Sequence, residues 1–515
     1  MNVARFVSFW TGFCSLSLEI AWVRLYGYAN QSTPQAFAYV LAIYLLGIAM
    51  GAQLGKKICR SPDRTAIERA AVWALALAGA IAVVGPWAYM LSLAFALDDL
   101  VAPLGIFLTA GSLSVLFPIT HHLGTPAQMS AEHGGKGRHF SRVYLLNVVG
   151  AALGPLFTGY ALLEFLSITQ VFTALAVVVG LTALAAWGMF GATRGMGATV
   201  LAGVMGGLVV TFGFARAAWS DPNAMAVAFA TVGEGTVVAV NESRHGIITI
   251  AKVPASDKQP FDDYAVYGGN VYDGKTNVSL ERNTNGLERP LALHVLRPDA
   301  KRVLVLGLSI GSWLTVVEGF PGVDQIDVVE INPGYLSMAQ GFGPQKRALE
   351  DPRVTVVVDD ARRWLQYHPD RRYDLILMNT TWHWRANSSM LLSQEMMQLI
   401  SRHLADRGVV TFNATGSLDA FFTASTVFKE VRRYQNFIYG ANWDPFTPAS
   451  QAEAWRVLER VTVDGQLGFE ENSDSIARFA SIPFVRLDED VKNSSRPPEL
   501  ITDDNMLVEY RYGRK

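Results

Sequence analysis

The chain of 515 residues is 50% hydrophobic and only 17% charged, with 43 Lys and Arg against 45 Asp and Glu and a net charge of −2. This composition is too apolar for an average soluble protein and too charged for a protein made of membrane spans alone, so it indicates domains with different solvent preferences. The absence of a basic excess argues against a nucleic acid partner. The contexts of the two cysteines, Cys14 and Cys59, argue against a disulfide framework or a thiolate metal site, and we expect no metal.

The first 216 residues are dominated by long apolar segments. The chain start leads into an apolar run that carries Glu19 and Arg24 and lacks a small-residue cleavage site, so it predicts a retained helix rather than a signal peptide. A bilayer core needs about 20 apolar residues per helix. Six segments fit this length: 6–24, 35–54, 70–95, 102–121, 143–163 and 168–190.

A seventh apolar segment, 197–215, contains five glycines, and it could span the membrane, lie at its interface or re-enter it. We therefore predict a transmembrane helical domain over residues 1–216 with six or seven spans, placed in the inner (plasma) membrane of the cell with the lipid bilayer as its partner.

Basic residues cluster in two connections of this domain, one with Lys56, Lys57, Arg60, Arg64 and Arg69, the other with Lys136, Arg138 and Arg142. The positive-inside rule places both connections and the N-terminus in the cytoplasm. Six spans would then leave the rest of the chain in the cytoplasm, whereas seven would put it outside.

Beyond residue 216 the charges rise and period-two patterns appear. Strands are predicted at Val237–Val240, Gly246–Val253 and Asp263–Val271, followed by a polar stretch from Tyr272 to Asn285. These elements predict a small β-rich cap over residues 217–300.

From residue 301 onward strands alternate with helices. The strand VLVLG ends in the turn Gly307–Gly311, and a second strand, Ile326–Ile331, delivers Glu330 about 20 residues later. Glycines let the backbone approach a ligand and the carboxylate can accept both ribose hydroxyls, so this combination is typical of a nucleoside site.

Two further strands also end in polar residues. Val354–Val358 ends at Asp359, Asp360 and Ala361, where Asp360 could accept a hydrogen bond from an adenine amino group, and Tyr373–Met378 ends at Asn379. The alternative for the acids is ordinary N-capping of the following helices.

The loop after the fourth strand, TTWHWRAN at residues 380–387, holds His383 as a candidate general base and Arg385 as a candidate clamp for a carboxylate or phosphate. The alternative is an aromatic lid packed on the core. We take Asn379, His383 and Arg385 as candidate catalytic residues. Three polar residues at the end of the next strand could complete the pocket: Asn413, Thr415 and Ser417.

The segments VLVLGLSIGS, DVVEINP, DPRVTVVVDDARRWL and YDLILMN resemble, in order and spacing, the spermidine synthase family of polyamine aminopropyltransferases. FWTGFCSLSLEIAWVRLYG and YLLNVVGAALGPLFTGY are similar to the membrane helices of the membrane-fused branch of that family. The resemblance implies an α/β Rossmann-like domain of the S-adenosylmethionine-dependent methyltransferase type over residues 301–515.

The resemblance also implies roles for single residues. The nucleoside would be lined by Gly307, Ser309 and Gly311. Glu330 would hold its ribose, and Asp360 with Ala361 would hold its adenine. The donor would be S-adenosylmethionine or its decarboxylated form, and an aminopropyl group would pass to an amine.

The chain departs from the family at positions that serve a cationic acceptor. Ile310 stands where the family has an Asp, Asn379 and Trp382 stand where it has a pair of Asp, and Glu288–Pro290 replaces a Tyr-His-Glu segment. Each departure removes a negative charge or a polar contact, so the acceptor, a small-molecule amine or another nucleophile, is left open.

Three hypotheses follow. The first is a membrane-bound aminopropyltransferase-like enzyme that uses an S-adenosyl nucleoside. The second keeps the site but transfers a methyl group or another piece of S-adenosylmethionine, because Ile310 and Asn379 relax the demand for a decarboxylated donor. The third is a membrane transporter or sensor that binds a nucleoside without catalysis.

The location of the donor sets the expected side of the membrane. S-adenosyl nucleosides are made in the cytoplasm, so we expect the C-terminal domain to be cytoplasmic, and a homodimer is a candidate assembly.

Overall fold

A computed structural model describes residues 2–125, 135–194, 197–257, 259–379 and 382–511. Thr380 and Thr381 of the predicted loop lie outside the described residues. The chain divides into two compact units, Met1–Ala230 with Glu242–Ile247 and Thr231–Asn241 with Ile248–Lys515. The three-part division at residues 216 and 300 stays a prediction.

The first unit is built from α-helices, interrupted by a 3-10 turn at Leu93–Phe95 and a π-helical turn at Thr158–Leu162. Its helices are α1 Asn2–Ala29, α2 Pro34–Ile58, α3 Arg64–Ser92, α4 Asp98–Ser114, α5 Leu116–Gly124, α6 Gly135–Phe157, α7 Leu163–Phe165, α8 Ile168–Arg194, α9 Ala198–Ser220 and α10 Ala224–Ala228.

Seven helical stretches in the described part of the chain are long and apolar enough to cross a membrane, by length and composition. They are Val3–Ala29, Pro34–Ile58, Arg64–Phe95, Asp98–Gly124, His139–Phe165, Ile168–Phe190 and Ala198–Ser220. The first six contain the six predicted segments.

The glycine-rich seventh segment forms one uninterrupted helix of 23 residues, α9. The re-entrant alternative is therefore wrong for this segment, because re-entry needs a chain reversal between its ends.

Glycines let helices α1 and α6 approach at backbone distance. A Cβ added at Gly150 would lie 2.1 Å from the carbonyl oxygen of Phe9, and one added at Gly12 would lie 2.3 Å from that of Asn147. Small residues at such contacts permit the close packing on which helix association in lipid depends.

The cap of the second unit is a four-stranded sheet in the order β1-β2-β3-β4. Its strands are β1 Thr236–Ser243, β2 Gly246–Val253, β3 Asp263–Gly268 and β4 Val271–Lys275. The sequence predicted a single strand at Asp263–Val271 and a polar stretch after it, which is wrong: the chain reverses and forms β4. Gly269 and Asn270 adopt φ of 58° and 66°, the left-handed geometry of a two-residue hairpin turn.

The main sheet has seven strands in the order β10-β11-β9-β8-β5-β6-β7. These strands are β5 Arg302–Leu306, β6 Gln325–Glu330, β7 Val354–Val358, β8 Tyr373–Met378, β9 Leu404–Asn413, β10 Glu430–Tyr434 and β11 Phe437–Ala441. The pairs among β5 to β9 are parallel, and β11 and β10 complete the sheet in antiparallel pairing. A short pair, β12 Thr462–Val463 and β13 Gln466–Leu467, lies outside this sheet.

Helices flank this sheet, and a hydrophobic cluster lies on each of its faces. Along β5, Val303 and Val305 belong to one cluster, whereas Leu304 and Leu306 belong to the other. The helices are α11 Glu288–Leu296, α12 Ser312–Glu318, α13 Pro333–Ala339, α14 Gly343–Glu350, α15 Ala361–Tyr367, α16 Ser389–Leu392, α17 Gln394–His403, α18 Leu418–Ser425, α19 Phe446–Ala449, α20 Ser475–Ala480 and α21 Leu487–Lys492.

The strand order reverses between β5 and β8. On one side of β5 the sheet continues with β6 and β7, and on the other side it continues with β8 and β9. In an open parallel sheet, ligands bind at such a switch point, beyond the carboxyl ends of the strands. The C-terminal fold is thus the predicted Rossmann-like fold, and it directs attention to residues 307 and 379.

Candidate functional site

A cavity of about 420 Å³ lies beyond the carboxyl ends of β5, β8 and β9, and cap strand β4 closes it. Its lining is Tyr272, Asp273, Gly274, Lys275, Thr284, Asn285, Gly286, Arg289, Leu308, Ser309, Ile310, Ser312, Trp313, Asn379, Trp382, Asn413, Thr415, Asn436 and Phe437. Its volume is typical of pockets that enclose a small-molecule ligand.

The predicted glycine turn forms one wall of this cavity. Gly307 and Gly311 have φ of 86° and 89°, and a Cβ at Gly307 would lie 2.6 Å from the carbonyl oxygen of Asn379. Ser309 and Ile310 line the cavity, and the Ser309 hydroxyl donates to the carbonyl of Asp273 at 2.9 Å. The two glycines thus shape the turn, while Ser309 faces the cavity.

Glu330 accepts hydrogen bonds from backbone N–H groups, one of them in the glycine turn. Its Oε2 accepts a hydrogen bond from the amide of Leu308 at 2.7 Å, and its Oε1 accepts one from the amide of Asn332 at 2.8 Å. Burial raises the pKa of Glu330 to about 7, because a buried carboxylate loses its hydration. Glu330 contacts the turn but is not among the cavity-lining residues.

Asp360 and Ala361 lie at the end of edge strand β7, away from the cavity lining. The Oδ1 of Asp360 accepts a hydrogen bond from the amide of Arg363 at 2.8 Å and caps α15, and Ala361 is the first residue of that helix. This is the N-capping geometry that was the alternative for the acid. An adenine contact for Asp360 and Ala361 stays a prediction.

The three candidate catalytic residues occupy different positions. Asn379 lines the cavity, and its backbone N–H donates to the carbonyl of Leu306 at 2.9 Å. His383 is buried and lies behind the lining, with its Nδ1 2.5 Å from the hydroxyl of Thr415, which does line the cavity. Arg385 is also outside the lining; burial lowers the pKa of its guanidinium, and the neighbouring Tyr335 and Asp273 oppose this fall.

The aromatic residues of this loop divide between the cavity and the core. Trp382 lines the cavity and donates its indole N–H to the carbonyl of Tyr272 at 3.1 Å, whereas Trp384 is buried. Of the polar residues at the end of β9, Asn413 and Thr415 line the cavity, and Ser417 caps α18.

A carboxylate missed in the sequence lies on β4. Asp273 lines the cavity, and its Oδ2 accepts a hydrogen bond from the hydroxyl of Tyr335 at 2.5 Å. Burial raises the pKa of Asp273 to about 6, and the Tyr335 hydrogen bond and the charge of Arg385 oppose this rise. The Gly-Asn pair before β4 is the sequence signal that would have revealed the strand.

Two cations missed in the sequence also line the cavity. Lys275 follows Asp273 by two residues on β4, and Arg289 is the second residue of α11. Asp273, Lys275 and Arg289 are the charged residues of the described lining. Across the described residues, no group of three or more His, Cys, Asp or Glu side chains could hold a metal ion.

Comparison with known proteins finds a domain family and relatives that part of this chain resembles. The spermine/spermidine synthase domain family matches residues 290–441. Polyamine aminopropyltransferase 2 from Ralstonia nicotianae is 35% identical over 120 residues, which cover 22% of this chain and 23% of the relative. Polyamine aminopropyltransferase 2 from Streptomyces coelicolor is 29% identical over 296 residues, which cover 54% of this chain and 49% of the relative.

A solved spermidine synthase from Thermotoga maritima aligns over 50% of this chain and 86% of its own, with 16% identity and a TM-score of 0.38. These matches span 23% and 49% of the length of the two curated relatives. The likeness to the spermine/spermidine synthase domain covers residues 290–441, which lie in the C-terminal part of the chain.

Proposed function

We propose that the chain is a membrane-bound transferase of the spermidine synthase-like type that takes an S-adenosyl nucleoside as donor. The observation that carries this proposal is the cavity in which the glycine turn, the strand-end residue Asn379 and cap strand β4 meet at the switch point of the sheet. Such a cavity can hold a nucleoside against backbone N–H groups while leaving one side for an acceptor.

The nucleoside is proposed to bind along the turn. Ser309 and the flanking glycines Gly307 and Gly311 would contact it, and Glu330 would accept hydrogen bonds from its ribose hydroxyls. Asp360 and Ala361 would contact its adenine, which requires the base to extend past β6 toward the end of β7.

The transfer itself needs an uncharged nucleophile. The lone pair of a neutral amine attacks a carbon bonded to the sulfonium, the carbon–sulfur bond breaks, and its electron pair remains on sulfur as a neutral thioether. An amine that arrives as an ammonium must first lose a proton, and Asp273 is a cavity-lining carboxylate able to accept it. With its pKa raised to about 6, this group is mostly ionised at neutral pH.

The remaining candidates act around this step. Asn379 and Thr415 line the cavity and would orient the acceptor. His383 contacts Thr415 and would position its hydroxyl, and Arg385 would hold the charge of Asp273 in place.

The first unit supports membrane attachment. Its candidate spans have the length and composition of transmembrane helices. We propose that the first six of them cross the membrane and anchor the transferase unit on the cytoplasmic side, where the donor is made.

Product analysis tests the reaction. The purified full chain is incubated with S-adenosylmethionine or its decarboxylated form, each labelled, and with a panel of amines and lipids. A transferase releases either methylthioadenosine or S-adenosylhomocysteine together with a labelled acceptor. Nucleoside binding with no turnover on any acceptor would instead favour a transporter or sensor.

Binding of methylthioadenosine, measured by calorimetry, tests the site. Glu330→Ala is expected to weaken affinity at least tenfold, since it removes the acceptor for both ribose hydroxyls and the support of the turn. Glu459→Ala, which removes an exposed carboxylate paired with Arg456, is the matched control and should bind normally. Normal affinity in the Glu330 variant would place the nucleoside elsewhere.

A further inference from the structure

The charge of the cavity does not suit a substrate that is only cationic. Of its three charged lining residues, Lys275 and Arg289 are cations and Asp273 is the acid. A decarboxylated donor carries a sulfonium and an ammonium, and a polyamine carries several ammonium groups. Either would bring positive charge toward two fixed cations, and like charges at close range oppose binding.

The backbone of Lys275 is held in a fixed position. Its amide donates to Asn285 Oδ1 at 2.8 Å, and its carbonyl accepts from Asn285 Nδ2 and from the Ser312 hydroxyl, both at 2.7 Å. Its ammonium lies 3.2 Å from Asp263 Oδ2, a carboxylate that is buried and also accepts from Thr284. Lys275 is therefore preorganised, but its charge is shared with Asp263.

Arg289 is held chiefly by neutral partners. Its Nε and Nη2 donate to the same oxygen, Oε1 of Gln435, at 3.3 and 3.2 Å, and its guanidinium lies 5.3 Å from the ring centroid of Phe437. The Glu288 carboxylate is 4.0 Å away and accepts from Asn283. The guanidinium thus keeps most of its capacity to bind an anion, in a planar geometry that suits a carboxylate.

We infer that the donor is an S-adenosyl nucleoside that retains its amino-acid carboxylate, and that Arg289 and Lys275 bind this carboxylate inside the cavity. This inference rests on the proposed function and names its donor. The charged lining thus offers two cations to this carboxylate, while Asp273, two residues before Lys275 on β4, stays available to accept the proton of the acceptor. Ile310 adds no charge to the lining.

Equilibrium binding to the purified full chain tests this inference with three ligands: S-adenosylmethionine, its decarboxylated form and methylthioadenosine. The unaltered chain is expected to bind S-adenosylmethionine at least tenfold more tightly than the decarboxylated form, because only the former supplies a partner for the two cations. Equal affinity, or tighter binding of the decarboxylated form, would overturn the inference.

Arg289→Gln is the main variant, because the carboxylate paired with Arg289, that of Glu288, is 4.0 Å away and keeps its hydrogen bond from Asn283. Lys275, by contrast, pairs with the buried Asp263 at 3.2 Å. We expect it to weaken S-adenosylmethionine binding tenfold or more and to leave methylthioadenosine binding unchanged, which also shows that the variant is folded. Arg289→Lys should recover part of the lost affinity. Arg456→Gln removes an exposed arginine outside the cavity and should change none of the three affinities.

The outcomes separate this inference from the proposed function. An Arg289→Gln chain that loses affinity for methylthioadenosine and S-adenosylmethionine equally would contradict a carboxylate subsite. Failure of the unaltered chain to bind methylthioadenosine would overturn the nucleoside site itself, and the donor assignment with it.

Discussion

Two carboxyl groups with raised pKa values, Glu330 and Asp273, lie near the glycine turn. Burial raises the pKa of Glu330 to about 7 and that of Asp273 to about 6, and the charge of Asp273 adds to the rise at Glu330. Perturbed carboxyl groups of this kind cluster at functional sites. Their ionisation should therefore control ligand binding in a measurable pH range.

Nucleoside affinity is expected to increase as the pH rises toward 7 and then to level off. Glu330 must be ionised to accept both ribose hydroxyls, and its pKa in the folded chain is about 7. Well below that pKa the affinity should change about tenfold per pH unit. Calorimetry with methylthioadenosine from pH 5.5 to 8.5 measures this, and Glu330→Gln should bind weakly with no such dependence.

The raised pKa of Glu330 also makes the stability of the folded chain depend on pH. The pKa of Glu330 rises from 4.5 to about 7 on folding, so the folded chain holds a proton that the unfolded chain has lost between these values. The contribution of this group to stability is complete below pH 4.5 and declines as the pH rises through 7. Thermal unfolding of Glu330→Gln should show a smaller decline over this range than that of the unaltered chain.

Tyr335→Phe is expected to slow turnover about tenfold well below pH 6 but only about twofold at pH 7, and to leave methylthioadenosine affinity unchanged. The Tyr335 hydroxyl donates to Asp273 and lowers the pKa of that carboxyl, so its loss should raise the pKa by about one unit. The acid limb of the pH–rate profile should then move to higher pH. A rate loss with an unmoved profile would mean that Tyr335 acts only on packing.

At the scale of elements, strands β5 to β8 of the main sheet were predicted, whereas β10, β11 and the last cap strand were not. β5 and β8 are continuous apolar runs that end in polar residues, so both the strands and the ligand end of the sheet follow from local patterns. β4 is short, and beyond Val271 its residues are partly exposed or exposed, so it has no apolar alternation to identify it. The contact of Tyr335 with Asp273 joins α13 to β4 and depends on tertiary packing alone.

Gly286, in the segment between β4 and α11, can be substituted to test whether the position of the Arg289 guanidinium matters for binding. Gly286 has a φ of 64°, and a Cβ there would lie 2.6 Å from Nη1 of Arg289. Gly286→Ala should displace the guanidinium and weaken S-adenosylmethionine binding about tenfold, with methylthioadenosine binding retained.

Gly233→Ala is the matched control for this change. Gly233 has a φ of 58° and no atom within 4 Å of an added Cβ. Both variants carry the same backbone strain of about 1 kcal/mol, so only the displaced arginine distinguishes them. Equal affinity losses in the two variants would assign the effect to strain.

At the scale of the whole molecule, hydropathy predicted where the long helices lie but not how many of them cross a membrane. Length and apolar content are local properties, and they identify each candidate span separately. The side on which the chain continues after α9 depends on charge bias and on the behaviour of that one helix.

Cysteine accessibility in cells tests the topology. A cysteine is introduced at Arg60, Asp98 or Ser220 in a chain that lacks the two native cysteines. We expect Ser220→Cys to resist a membrane-impermeant maleimide in intact cells and to react after permeabilisation, as Arg60→Cys should. Asp98→Cys, at the start of the fourth candidate span, follows three crossings from a cytoplasmic N-terminus, so it should lie outside and react in intact cells. Labelling of Ser220→Cys in intact cells would place the transferase unit outside with seven spans.

All three charged side chains of the cavity come from the part of the chain before the matched domain. Asp273, Lys275 and Arg289 all precede residue 290, where the match to the spermine/spermidine synthase domain begins. The part of the chain matched by that domain family contributes the glycine turn and Asn379 to the cavity, and the stretch before it supplies the charged side chains. Under the proposed function, exchanging residues 263–289 with those of a relative is expected to change substrate preference and to leave nucleoside binding intact.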